Sequence, residues 1–131
     1  VTVEFTQPQA IYLQIGDYLC DNILRRRWRG GDRIPSIREL AVDVQVNPNT
    51  VARTYAYLQD RGIIYNRRGT GYFVADRAYR QARELKQRSF VNRDLPQLFR
   101  TMDLLGLELS DLEPHYRARG RSTNAQEGGD R

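Results

Sequence analysis

The sequence predicts a mainly α-helical fold with one small β-hairpin, and three observations predict it. Two short segments with helical periodicity lie close together, and only residues 44–46 separate them. A strand-like segment with glycines at its centre follows at residues 63–74. From residue 78 onward the periodicity is helical again. We therefore expect two adjacent short helices, a hairpin and a helical C-terminal extension.

The first of the two short helices is predicted at about residues 36–43. Pro35 favours an extended conformation before it, and Ser36 can cap the amides of the turn that follows. Glu39 stands three positions after Ser36, which is the spacing of a capping box. Arg38 is expected to face outward, either as a functional side chain or as an ordinary solvated arginine.

The second short helix is predicted at about residues 48–60, with Asn47 as its N-cap and Pro48 in its first turn. The start of this helix presents Asn47, Asn49 and Thr50, which carry hydrogen-bond donors and acceptors. Such side chains can contact base edges and phosphates. Each of them alone could simply cap the helix, so the interpretation depends on the cluster. Because the connection is short, the two helices are expected to form a helix-turn-helix.

The strand-like segment predicts a hairpin with a basic tip. Residues 63–65 and 72–74 supply the strands, and Arg67, Arg68 and Gly69 lie between them. Glycine lets the backbone approach another molecule closely, and arginine can meet phosphates or enter a narrow minor groove. A nucleotide-binding loop is the alternative, but the strand-to-helix order that it needs is absent. The hairpin therefore completes a winged helix-turn-helix within residues 1–76.

An earlier helix is predicted from about Pro8 to Trp28, with Thr6 as its cap. Its apolar residues are expected to pack across the two short helices, and they include Ile11, Ile15, Tyr18 and Leu19. Cys20 lies within this pattern and is predicted to be a small core residue in a reducing compartment. As the only cysteine, it cannot form an intrachain disulfide.

The C-terminal region, residues 77–118, is predicted to be a helical dimerisation arm. Helices are expected at about 78–90 and 95–105, with Gly106 ending the second, and Ser110 with Glu113 is predicted to cap a third. Such a short region cannot enclose a ligand pocket, but its apolar stripe can pair with that of a second copy. The stripe consists of Leu95, Leu98, Phe99, Met102 and Leu105. The alternative is a monomer in which these helices fold back. Residues 119–131 are polar and glycine-rich, and we predict that they are disordered.

Charge and composition favour a polyanionic partner. The net charge is +5 and the pI is about 9.7. Residues 21–80 hold twelve of the basic residues and six of the acidic ones, so the basic part coincides with the winged helix. No apolar run suggests a membrane span or a signal peptide, which predicts a cytoplasmic protein. His115 has no neighbouring cysteines, and no catalytic group can be assembled, so we expect no metal, no cofactor and no enzymatic activity.

Four segments together resemble the winged helix-turn-helix of GntR-type bacterial transcription regulators. They are PSIRELA at 35–41, VNPNTVARTY at 46–55, LQDRGII at 58–64 and GTGYFV at 69–74. The sequence VNPNTV and the short C-terminal segment resemble the YtrA subfamily in particular. The resemblance spans about residues 8–118. It implies a homodimeric repressor without a large effector domain, whose gene commonly lies beside a transporter operon. It also implies DNA contacts from Ser36, Arg38, Asn47, Asn49, Thr50, Arg53, Arg67, Arg68 and Gly69. Pro48 departs from branches with a polar residue there, which removes one contact.

We therefore predict a sequence-specific regulator that binds an inverted-repeat operator in double-stranded DNA as a homodimer. The alternative is a winged helix that binds protein or RNA, because the fold alone does not fix function. Polar Asn49 and Thr50 with the two wing arginines favour duplex DNA, whereas an apolar recognition face would favour a protein. The sequence leaves a small-molecule effector open.

Overall fold

The computed structural model describes residues 9–129, with side chains described for residues 9–120. It divides into two compact units between Arg88 and Ser89. The predicted cap Thr6 lies outside the described residues. The predicted helix start at about Pro8 is wrong, since the helix begins at Ile11 with Ala10 as its N-cap. The predicted fold class is confirmed, since the described residues form helices and one small antiparallel sheet.

Three helices build the first unit: α1 (Ile11–Leu24), α2 (Ile37–Val44) and α3 (Pro48–Asp60). The bounds of α2 and α3 agree with the predictions to within about one residue. α1 ends before the predicted Trp28, because Arg26 takes a positive φ of 62° that a right-handed helix cannot continue.

Gly62 ends α3 as predicted. It has a φ of 70°, and its N–H donates to the Gln59 carbonyl at 3.0 Å while the Ile63 N–H donates to the Leu58 carbonyl at 3.0 Å. These two bonds are those of a Schellman motif. The chain therefore turns sharply from α3 into the sheet.

The sheet has three strands, β1 (Arg33–Ile34), β2 (Ile64–Arg67) and β3 (Gly71–Val74), in the order β1-β3-β2. Both pairings are antiparallel, with Arg67 opposite Gly71 and Arg33 opposite Phe73. The predicted hairpin is therefore confirmed. β1 was not predicted, because two residues are too few to show strand alternation.

The core of this unit lies between α1, α2, α3 and the sheet, and includes Leu19, Cys20, Ile23, Leu40, Val51, Tyr55, Leu58, Ile63 and Val74. Cys20 is fully buried, as predicted, and burial together with the charge of Asp17 raises its pKa to about 12. The predicted packing of Ile11 and Tyr18 is wrong, since they are 57% and 49% exposed. Tyr18 is off the buried face set by Leu19 and Ile23, and Ile11 is the first residue of the helix.

Helix α4 (Ala78–Ser89) also belongs to the first unit. Ala78 and Ala82 are buried in its core, and Lys86 Nζ lies 3.1 Å from an Asp21 carboxylate oxygen and 3.7 Å from one of Asp17. The unit thus extends past the boundary predicted at residue 76. Alanines spaced four apart form a weak apolar stripe, which is why the sequence did not reveal this packing.

The second unit contains a short π-helical segment (Phe90–Asp94), α5 (Leu95–Leu105) and α6 (Leu109–Gly129). Gly106 ends α5 as predicted, with a φ of 70°.

The predicted Ser110–Glu113 capping box is wrong. The Glu108 N–H donates to Asp111 Oδ2 at 2.8 Å at the start of α6, and Glu113 instead pairs with Arg117 at 2.6 Å. The helix thus begins before Ser110, so Ser110 lies inside it. α6 runs into the segment 119–131, whose disorder in solution stays a prediction.

Candidate nucleic-acid interface

The start of α3 is a fixed and exposed helix end. The Asn47 side chain accepts a hydrogen bond from the Asn49 N–H at 2.8 Å, and the Asn47 carbonyl accepts one from the Thr50 N–H at 2.9 Å. Asn47 therefore uses its amide oxygen as the cap and keeps only its NH₂ group for another molecule. Asn49 is exposed, and its side chain makes no hydrogen bond with a described residue. Thr50 is half-buried.

Two hydroxyl groups hold α3 in place beneath this exposed end. The Tyr55 hydroxyl donates to the Pro35 carbonyl at 2.6 Å, which ties α3 to the chain just before α2. The Thr54 hydroxyl donates to the Tyr12 carbonyl at 2.7 Å, which ties α3 to α1. Burial raises the pKa of Tyr55, so the hydroxyl stays a donor well into alkaline solution. Both bonds link segments that are far apart in the sequence. Together they hold the start of α3 in position relative to α1 and to the chain before α2.

The start of α2 carries the predicted capping box. The Ser36 hydroxyl accepts from the Glu39 N–H at 3.1 Å, and the Ser36 N–H donates to the Glu39 carboxylate at 3.0 Å. The latter bond lowers the pKa of Glu39. Ser36 is thus occupied in capping, whereas Arg38 beside it is exposed. Arg38 lines an open depression together with Val46 and Pro48, so it lies next to the start of α3.

Arg53 lies on the exposed side of α3, one turn after Asn49. Its guanidinium stands 3.9 Å from the centre of the Tyr12 ring, a cation–π contact that restricts where the long side chain can reach. Arg53, Asn49 and Thr50 line a second open depression with Tyr12. Tyr12 was not predicted from the sequence, because its position on α1 gives no sign that it would lie under an arginine of α3.

The wing is the loop between β2 and β3. Arg68 and Gly69 are exposed at its tip, Gly69 has a φ of 79°, and the Thr70 N–H donates to the Arg67 carbonyl at 2.9 Å. The Arg67 guanidinium lies 5.5 Å from the centre of the Phe73 ring. Gly69 adopts a backbone conformation that side chains disfavour, so the tip presents bare backbone directly after two arginine side chains.

Arg33 on β1 adds a third guanidinium to the wing, and this residue was not predicted from the sequence. A Cβ built on Gly71, which has a φ of 130°, would lie only 3.1 Å from Arg33 Nε. Arg33 therefore extends along β3 toward the tip, over the one position in that strand without a side chain. The only sequence signal was Pro35, which favours extended backbone just before it.

The described carboxylates do not neutralise the positive charge of this surface. Among the described side chains, the ion pairs join Arg80 to Glu84, Lys86 to two aspartates and Arg117 to Glu113. No described carboxylate pairs with Arg38, Arg53, Arg67 or Arg68, and all four are exposed. The candidate surface can therefore attract a polyanion.

The described residues contain no group of three or more His, Cys, Asp or Glu side chains that could hold a metal ion. In the part of the chain that the structure covers, no helix has the length and apolar composition needed to cross a membrane.

Comparison with known proteins agrees with this geometry. A family model described as "Bacterial regulatory proteins, gntR family" matches residues 11–74. The chain is 35% identical over 112 residues to the HTH-type transcriptional repressor YtrA of Bacillus subtilis, and the match covers 86% of this chain and 85% of YtrA. The chain belongs to the GntR family.

Two further relatives support this assignment. The chain is 43% identical over 75 residues to the HTH-type transcriptional regulator YhcF of Bacillus subtilis, and the match covers 57% of this chain and 62% of YhcF. A crystal structure of a GntR-family regulator from Bacteroides thetaiotaomicron superimposes with a TM-score of 0.69 at 40% identity, covering 87% of this chain and 99% of that one. The protein is thus a DNA-binding transcription regulator, and its match to YtrA confirms the predicted subfamily. The family and these relatives are transcription regulators, not enzymes.

In this GntR-family fold the predicted DNA-contacting residues form three groups. Arg38 lies beside the start of α3, and Asn49, Thr50 and Arg53 share a depression on α3. Arg67, Arg68 and Gly69 form the third group, and no described contact joins them to the other two. Ser36 and Asn47 are engaged as caps. That these residues contact DNA stays a prediction.

Proposed function

We propose that this GntR-family protein is a repressor that binds an inverted-repeat operator as a homodimer. The observation that carries the proposal is the exposed start of α3. The side chain of Asn49 makes no hydrogen bond with a described residue there, while α3 itself is held by two buried hydroxyls. A rigid helix end with unused donors and acceptors can distinguish base edges in a major groove. YtrA, which resembles the chain over most of its length, is named a transcriptional repressor.

Each group of residues has a different task in this proposal. Asn49 and Thr50 contact base edges, and the NH₂ group of Asn47 adds a donor beside them. Arg38 contacts a base or a phosphate next to the start of α3. Ser36 and Arg53 contact the phosphate backbone of the DNA. Arg67, Arg68 and Gly69 hold the wing against the duplex. Phosphate contacts fix the register, and base contacts select the sequence.

The second unit supports the homodimer. Within the predicted stripe on α5, Leu98, Phe99 and Leu105 are 41%, 47% and 62% exposed, while Met102 is buried and Leu95 is half-buried. Leu104 beside them is 84% exposed. Soluble monomers rarely leave several large apolar side chains uncovered on one short helix. A second copy of α5 would cover this surface and bring two recognition helices to the two halves of an inverted repeat.

Footprinting on the promoter of the protein's own operon tests the proposal. We expect two protected half-sites related by a dyad about one helical turn apart, and increased transcription of the operon when the gene is deleted. The resemblance to the YtrA subfamily further suggests a transporter operon, and the identity of the derepressed genes tests this. Binding to an operator also requires a cytoplasmic location. A small-molecule effector is left open. Equal binding to operator and random duplexes, or preferential binding to RNA or a protein, would contradict the proposal.

A further inference from the structure

We infer that Val42 of α2 and Pro48 of α3 form a contact site for the methyl group of a thymine in the operator. This inference rests on the proposed binding of the start of α3 in a major groove. Val42 and Pro48 line one open depression together with Arg38, Ala41 and Val46. They come from different helices and meet only because the turn between α2 and α3 is short.

The Val42 side chain is largely outside the core of the first unit. The side chain is 76% exposed, whereas its neighbours Leu40 and Ala41 on the same helix are buried in the core. Among the described side chains of the first unit, the other exposed large hydrophobic residues are Ile11, Tyr18 and Tyr65, and all of them are more covered than Val42. A single exposed apolar residue needs no explanation. Val42, however, shares its depression with a second apolar residue, Pro48, which lies between the candidate base-contacting residues Asn47 and Asn49.

Pro48 is the second exposed apolar residue of this depression. It is exposed, and it lies between Asn47 and Asn49 in the first turn of α3. Proline has no N–H, so Pro48 offers this surface only C–H groups and a carbonyl that belongs to the helix. If its two neighbours approach base edges, the proline ring approaches the same groove. An apolar pair in that position cannot form a hydrogen bond with a base, but it can contact an apolar group.

The major groove carries one such group, the 5-methyl group of thymine. Arg38 borders the same depression, is exposed, and pairs with no described carboxylate. A guanidinium beside a small apolar surface complements a thymine methyl flanked by phosphates or by a guanine edge. It complements an apolar peptide less well, because docking such a peptide would bury an unpaired charge. Duplex DNA is therefore the occupant that fits both features.

Replacing operator thymines with deoxyuridine one at a time tests the inference, because each replacement removes only a methyl group. We expect one thymine in each half-site to be sensitive, with an affinity loss of about threefold to fivefold. Val42→Ala should lose a similar factor on the natural operator and show little further loss on the uracil operator. Pro48→Ala should behave in the same way, and Tyr18→Ala, an exposed apolar control outside the depression, should keep the full methyl sensitivity.

Four outcomes would overturn the inference. The first is an operator that is bound specifically but has no methyl-sensitive position, a result that leaves the proposed function intact. The second is Val42→Ala and Pro48→Ala variants that remain folded by circular dichroism and keep the full methyl sensitivity. The third is failure to find any specifically bound duplex, which removes the proposed function and this inference together. Loss of a protein interaction by Val42→Ala, without any change in DNA affinity, would assign the depression to a protein partner instead.

Discussion

At the scale of single residues, capping separates the polar side chains at the two helix starts into two kinds. Ser36 and Asn47 each use an oxygen to accept a backbone N–H of their own helix, so they set the geometry of α2 and α3. Asn49 has no such task, and its side chain is available to a ligand. Removing a cap weakens the helix, whereas removing Asn49 should leave the fold unchanged.

Asn49→Ala therefore tests base recognition more directly than replacement of Ser36 or Asn47, because it leaves both helix caps in place. We expect it to cost about 1 to 3 kcal/mol of specific binding and to leave binding to random duplexes almost unchanged, as for a lost base contact. Gln59→Ala, which changes an exposed residue near the other end of α3, is the matched control and should bind normally. Equal weakening of Asn49→Ala on operator and random DNA would remove Asn49 from the base-reading residues.

Tyr55→Phe tests whether the hydrogen bond from the Tyr55 hydroxyl to the Pro35 carbonyl stabilises the packing of α3. The substitution leaves the Pro35 carbonyl without its 2.6 Å hydrogen bond, so we expect a loss of about 1 to 2 kcal/mol in the free energy of unfolding. Thermal unfolding followed by circular dichroism measures this loss. Tyr57→Phe is the control, because the Tyr57 hydroxyl makes no hydrogen bond with a described residue. Equal melting temperatures for the two variants would show that the bond to Pro35 contributes nothing to stability.

At the scale of elements, the sequence predicted the parts that local chemistry determines. Ser36 with Glu39 and Asn47 with Pro48 mark helix starts by their own hydrogen bonds or ring geometry, and Gly62 marks an end by its positive φ. The bounds of α2 and α3 followed from these signals, and the hairpin followed from the strand-like residues on either side of its glycines. β1 was missed because its pairing with β3 depends on residues about forty positions away in the sequence. Arg33 and Tyr12 were missed for the same reason, since only tertiary packing brings them to Gly71 and Arg53.

The wing is an element whose contribution to binding should be mostly electrostatic. Replacing Arg67 and Arg68 together with Ala should weaken binding and reduce the slope of log K against log salt concentration by roughly 1 to 2 units, because fewer counterions are released. Arg33→Ala alone should reduce it by roughly 1 unit if the third guanidinium also reaches a phosphate. Arg83→Ala with Arg88→Ala on α4 removes two charges elsewhere and should change the slope less. An unchanged slope in the wing variants would show that the wing does not contact DNA.

At the scale of the whole molecule, the boundary between the two units decides which part binds DNA alone. The end of the predicted hairpin placed the boundary at residue 76, but α4 completes the core through Ala78 and Ala82. Lys86 strengthens this attachment. Burial by itself would lower its pKa, but the hydrogen bond to Asp21 and the charges of Asp17 and Asp21 raise it overall. The raised pKa of Lys86 therefore contributes stability at neutral pH, and this contribution is lost as the pH rises above the usual pKa of lysine.

Two truncated proteins should separate the roles of the units. A protein ending at Arg88 keeps α4 and should fold as a monomer, whereas one ending at Asp76 loses its buried alanines and should be less stable by at least about 2 kcal/mol. The full chain should be a dimer. Both the full chain and the protein ending at Arg88 should bind a single half-site. On the inverted repeat, only the dimer makes a second, effectively intramolecular contact, which should raise its affinity by a factor of about 10² to 10⁴. Sedimentation and titration of each protein measure these differences. A monomeric full chain at micromolar concentration, or a dimeric protein ending at Arg88, would show that the second unit does not hold the dimer together.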